Sequence, residues 1–221
     1  MRLMLAVVAV AWGMAIAPAP AAGAVPGVCP PFCDAIPDSA WMSPASIPLN
    51  SVYRWPGLAG LAVTAPSPRF GFEALCQSPP AGRDPRHHVV AERSVVLQPP
   101  GQWNLLVQVL HWRGDVAHAG PVAMATLDAA RARFDSCAAT APAASPSVTT
   151  SDRQRIAAVI SVSGDQVMHE YLLADPDSAT VVELAMWSSL PPAVEWPAVS
   201  DATVFAAMAA PLCSAYIGSC R

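Results

Sequence analysis

Residues 156–188 decide the fold: IAAVISV, SGD, QVMHEYLLA, DPDS, ATVVELAMWS. Ile156, Ala158, Ile160 and Val162 alternate along the first segment, the period of a strand with one inward face. Ser163-Gly164-Asp165 is a hairpin turn into a second strand, Val167 to Ala174. Asp175-Pro176-Asp177-Ser178 turns the chain again, into Thr180 to Ser188, where Val182, Leu184 and Met186 share a face. Strands joined by such short turns must pair antiparallel.

Working outward, His88 to Leu97 and Trp103 to Arg113 are two further strands, separated by Pro99-Pro100-Gly101. Trp103, Leu105, Val107 and Val109 share one face of the second, and His111 continues it. Gly120-Pro121 is expected to open a helix, since proline suits a first helical position. Leu127, Ala130, Phe134 and Cys137 lie on its apolar side, with Asp128, Arg131 and Asp135 opposite. The Ala/Ser/Thr/Pro stretch Ala138 to Ser151 reads as a flexible loop. Ser200 can cap a last helix through Asp201, Val204, Met208 and Leu212, which Pro211 should kink or end early. Upstream, Asn50 to Ala65 suggests a short helix or irregular core-packing segment, and Pro79 to Pro85 a loop. The expected fold is α+β: an antiparallel sheet of about five strands with two main helices on one face, stapled by disulfides.

The N-terminus reads as an export signal. Arg2 precedes an apolar run from Leu3 to Ala17, and Ala22-Gly23-Ala24 supplies small residues before Val25. The expected organisation is a signal peptide over 1–24, a Pro-rich arm over 25–49 and one α+β domain over 50–221. The apolar run falls short of the ~20 residues that span a bilayer, and no later segment approaches that length. The first residue after the cleavage site is Val25 rather than cysteine, which argues against a lipid-anchored protein. A net charge of −4 without any basic run disfavours nucleic acid and anionic lipid as partners. All the basic residues are arginine, a bias that reads as a GC-rich, actinobacterial genome.

Six cysteines in an exported chain point to three disulfides. Cys137 shares the apolar helix face with Phe134, so its partner must come from a segment beneath that helix, and Cys76 is the natural candidate. Such a bond closes a loop of about 60 residues, for which chain entropy gives roughly 4 kcal/mol. Cys29, Cys33, Cys213 and Cys220 would form the other two. Cys213 and Cys220 would sit about 10 Å apart along an unbroken helix, beyond the ~7 Å reach of a disulfide, so they pair only if the helix stops first. A zinc half-site at Cys29 and Cys33 is the weaker reading, because oxidation is the commoner fate outside the cytosol. No metal or other cofactor is expected.

Ala74-Leu75-Cys76 resembles the segment around the first cysteine of the extracellular sensor domain of mycobacterial serine/threonine protein kinase H. Ala132-Arg133-Phe134-Asp135-Ser136-Cys137-Ala138 is similar to that family's helix carrying the partner cysteine, and the separation of 61 also fits. The resemblance covers about residues 50–217. It implies a sheet with helices, a groove for a ligand and an exported location, since the family includes free-standing exported proteins and lipoproteins. No ligand-binding residue carries over. The family's later disulfide has no clear counterpart, and the arm cysteines are extra.

Motifs of catalysis are missing. No Gly-x-Ser-x-Gly elbow occurs, and His169-Glu170 runs into Tyr171-Leu172-Leu173 rather than the second histidine of a zinc protease helix. His111 and His169 lie on strands and could face one cavity, as metal ligands or pH sensors, although hydrogen-bonded or surface histidines are the commoner outcome. Trp103 or Trp187 could line a groove instead of the core. Arg93 interrupts the apolar face of Val89, Ala91, Val95 and Leu97 and could hold an anion. Arg93, Trp103, His111, His169 and Trp187 are thus the candidate groove residues.

The functional expectation is an exported, non-catalytic domain that binds a ligand or partner in the cell envelope. The alternatives are a carrier of lipid or another apolar molecule, with a continuous apolar cavity, and a secreted hydrolase with dispersed catalytic groups. N-terminal sequencing of protein recovered outside the host cytoplasm is expected to begin at Val25; a start at Met1 would leave residues 1–24 as an uncleaved anchor.

Overall fold

The computed structural model describes residues 35–80, 84–216 and 219. The expected signal peptide, Cys29, Cys33 and Cys220 lie outside the described residues. Seven strands form one antiparallel sheet: β1 (Val63–Thr64), β2 (Val90–Val96), β3 (Asn104–His111), β4 (Ala144–Ser151), β5 (Arg155–Val162), β6 (Gln166–Asp175) and β7 (Thr180–Ser189). Their order is β1-β2-β3-β7-β6-β5-β4. Helices α1 (Asn50–Tyr53), α2 (Gly71–Leu75), α3 (Val116–Thr140) and α4 (Asp201–Ala215) complete the fold.

The three-strand run read first from the sequence is β5, β6 and β7, and both of its hairpins form. The two strands missed are the edges. β4 occupies most of the stretch taken for a flexible loop. All its Ser/Thr residues but Thr150 face solvent, Pro146 sits opposite Ile160, and the register shifts between Val148 and Thr150. An edge strand tolerates such a proline because one side of its backbone pairs with nothing. β1 is only two residues long, too short to carry a periodic signal.

The helices also depart from expectation: they cover both faces of the sheet. α3 packs Ala123, Leu127, Ala130 and Phe134 with Leu110, Ile156, Ile160, Leu172 and Val181 in one core. α4 packs Val204, Phe205, Met208 and Leu212 with Leu105, Val107, Tyr171, Leu173 and Leu184 in the other. The reason lies in the central strands. β7 is buried over nearly its whole length, so residues of both parities need cover. The Pro-rich arm contributes to the second core: from Ile36 onward it folds onto the sheet through Ala40, Trp41, Met42, Ile47 and Leu49, with 3-10 turns at Asp38–Ala40 and Pro44–Ser46.

α3 starts four residues earlier than Gly120-Pro121 suggests, because the Asp115 side chain accepts from the Ala117 N–H and caps it. Gly120 is required for packing instead: a Cβ there would collide with the Pro176 carbonyl. Ser200 caps α4 as expected, but the helix runs through Pro211 to Ala215. No helix among the described residues is long and apolar enough to cross a membrane.

The expected Cys76–Cys137 disulfide is present, with the α-carbons 4.7 Å apart. It ties the C-terminus of α2 to α3, and both cysteines are buried. Phe72 stacks on Phe134 beside it, ring centroids 3.8 Å apart. Cys213 is also disulfide-bonded. Replacing both Cys76 and Cys137 by Ser is expected to cost about 2–5 kcal/mol in chemical denaturation; an unchanged midpoint would show that packing alone holds α2 against α3.

Candidate functional site

α2 carries a carboxylate into the first core. Glu73 is 1% exposed and is surrounded by cations from three elements. Its Oε2 accepts from the Phe70 N–H (3.2 Å), Arg69 Nε (3.3 Å) and Arg86 Nη1 (3.1 Å). Its Oε1 lies 3.0 Å from both Arg86 Nη2 and Arg133 Nη1, out of line for a hydrogen bond, so the contact there is ionic. Asp84 completes the knot, accepting from Arg86 Nε at 2.8 Å and Arg133 Nη2 at 3.2 Å. Partial burial opposes the Asp84 charge, but the hydrogen bonds and charges of Arg86 and Arg133 outweigh it and hold its carboxyl down at about 2. Arg86 also lies over the Phe70 ring, 5.0 Å from its centroid.

Two more acids lie beside this knot. Gln108 of β3 is level with Glu183 of β7, and Glu170 of β6 lies one pair further along the same face. All three are buried. Glu183 accepts from the Gly71 N–H and from Gln108 Nε2. Neither Glu170 oxygen makes a hydrogen bond of good geometry, and the Phe72 N–H is the one backbone donor that favours its charged form. Burial, and then the Glu183 charge, push its pKa well above the ordinary carboxylate value. Glu183 is likewise raised, chiefly by burial. The pair therefore keeps a proton, which Glu170 can donate to Glu183. The Gly71 backbone presses close to both carboxyl groups, and a Cβ there would meet Glu183 Oε1 at 3.3 Å.

Outside the knot lies a cleft of about 280 Å3, lined by Pro66, Ser67, Pro68, Arg69, Pro79, Pro80, Asp84 and Arg86. A second surface lies on the α3 side of the sheet but beyond that helix, which packs on β4 to β7. There Val63 is level with Arg93, and Val95 with Leu106. Val63 is 58% exposed and Leu97 71%. Arg93 is exposed at the centre, its side chain without an ion pair or hydrogen bond to any described residue. Trp187, half-buried on the same face, leads from this surface into a cleft of about 370 Å3 lined by Asn104, Gln98, Gln102 and Gln166.

The five candidate groove residues therefore divide. Arg93 and Trp187 share the open face. Trp103 and His169 lie on the opposite face beneath Trp196, which stacks on His169 with centroids 3.7 Å apart. Burial holds the His169 imidazole neutral down to about 4. His111 stacks on Tyr216 and contacts Thr180 at 3.1 Å. It is level with Thr180 on β7, whereas His169 is level with Met186, six residues and about 20 Å along the strand. The two histidines share no cavity. Among the described residues no group of three His, Cys, Asp or Glu is placed to hold a metal ion.

The acids Glu73, Glu170 and Glu183 escaped sequence reasoning. A signal was available: Glu170 falls between Met168 and Leu172, and Glu183 between Val181 and Ala185, at core-facing positions.

Because Glu170 and Glu183 are raised in the folded state, the unfolded chain releases their protons first as pH rises above the ordinary value of 4.5. The pair's contribution to stability is then fully present below that value and is lost as the pH climbs through the folded pair's own titration. Glu170→Gln is expected to flatten this fall, leaving the variant more stable than the wild type at pH 8 and no more stable at pH 4.5. Thermal melts across that range test it, and parallel curves for the two proteins would refute the shared proton. Comparison with known proteins finds no matching family model, no matching curated protein and no matching solved structure.

Proposed function

We propose that the protein is an exported, non-catalytic binding domain of the cell envelope, sensor-like in kind, whose ligand or partner lies on the uncovered half of the sheet face. The observation that carries this reading is the exposed apolar strip of Val63, Val95 and Leu97 around Arg93, flanked by half-buried Leu106 and Trp187. Exposed valine and leucine on a sheet cost free energy in water, at roughly 25 cal/mol per Å2, which a bound apolar surface would recover. An arginine that no described residue pairs with, set in their midst, adds selectivity for an anionic group on that surface. The buried disulfide fits an oxidising compartment. The resemblance to the kinase sensor domain, carried by the residues around Cys76 and Cys137, points the same way.

The carrier and hydrolase readings have less support. The described clefts are small and edged with amide and charged groups, and the buried carboxyl pair is sealed from solvent. Native mass spectrometry of the protein purified from its own host is expected to reveal a co-purifying molecule that Leu97→Asp and Arg93→Glu both displace. A bound species indifferent to both substitutions, or none at all, would remove this face from consideration.

A further inference from the structure

The proline-walled cleft is distinct from the open sheet face. Three guanidinium groups, of Arg69, Arg86 and Arg133, face two charged carboxylates, of Glu73 and Asp84. Arg86 is fully engaged, its Nε and Nη2 on Asp84 and its Nη1 on Glu73. Arg133 is divided between the same two acids. Of the three, only Arg69 is open to solvent, its side chain 46% exposed at the rim of the cleft, against 5% for Arg86 and 12% for Arg133. Its Nε is held by Glu73 and its Nη2 by the Ser78 carbonyl, so the guanidinium is fixed in place with Nη1 uncommitted. An arginine already held by two bonds loses little further freedom when it takes a ligand.

The walls complement that charge. Pro66, Pro68, Pro79 and Pro80 present rigid apolar rings, and the Asp84 carboxylate in the lining is already held by Arg86 and Arg133. Its volume of about 280 Å3 lies at the lower edge of small-molecule sites and suits a ligand of one ring rather than a lipid chain. We propose that this cleft is a second binding site, for a small organic carboxylate whose charged end pairs with Arg69 and whose compact apolar body lies against the prolines.

Benzoate is a suitable probe and benzyl alcohol its uncharged counterpart. In titrations of the disulfide-intact protein followed by NMR, benzoate is expected to saturate, shifting resonances of residues 66–69, 79–80 and 84–86, and benzyl alcohol to bind at least about tenfold more weakly. Arg69→Gln should weaken benzoate about tenfold or more, and Arg69→Lys less. Ser67→Glu, an exposed change on the lip that leaves the ion network intact, should weaken it as well. Arg93→Glu on the open sheet face should leave it unchanged, which separates this site from the one above. Equal binding of the alcohol, indifference to both Arg69→Gln and Ser67→Glu, or no shifts around the cleft would each overturn the assignment.

Discussion

Strands that are apolar on both faces cannot remain at a solvent boundary, and that constraint shapes most of this molecule. β7 and its neighbours β3 and β6 bury side chains of both parities, so the sheet must be covered twice. α3 answers on one side, and α4 with the folded-back segment from Ile36 answers on the other. The cover is incomplete over the β1–β2 half of the α3 side. That gap is where exposed valine and leucine meet Arg93.

A second feature runs against the usual composition of a core. Six ionisable side chains, of Glu73, Asp84, Arg86, Arg133, Glu170 and Glu183, are buried or nearly so where α2, α3 and the sheet meet. Burying a charge is tolerable only with a partner in good geometry. Glu73 and Asp84 meet that condition through arginines, and the Glu170–Glu183 pair meets it by keeping a proton. The disulfide contributes by fixing α2, and with it Glu73, against the helix that carries Arg133. Replacing such ion pairs with apolar groups is often neutral or stabilising. Their presence here is therefore weak evidence for stability and better evidence for a fixed arrangement around the cleft.

Periodicity made the meander of β5, β6 and β7 legible, because Ile156, Ile160, Val182 and Leu184 alternate between unmistakable turns. The cap at Ser200 and the Cys76–Cys137 pair were legible for similarly local reasons. β4 was not, since an exposed Ser/Thr edge with an internal proline has the composition of a loop. The candidate sites were partly legible. Arg93 and Trp187 do meet on one surface, whereas Trp103, His111 and His169 are packed under aromatic rings on the other.

The sequence by itself determined the local matters: where strands alternate, where turns and caps fall, which cysteine lies on an apolar helix face. These follow from bond geometry and spacing within a few residues. Only the tertiary structure decided which face each helix covers, and that Glu73, Arg86 and Arg133 converge beside Glu170 and Glu183. Those outcomes depend on sheet order and strand register between segments as much as 110 residues apart, such as Glu73 and Glu183. A carboxyl's proton is settled by its neighbours' charge and by the exclusion of water, which no stretch of sequence specifies.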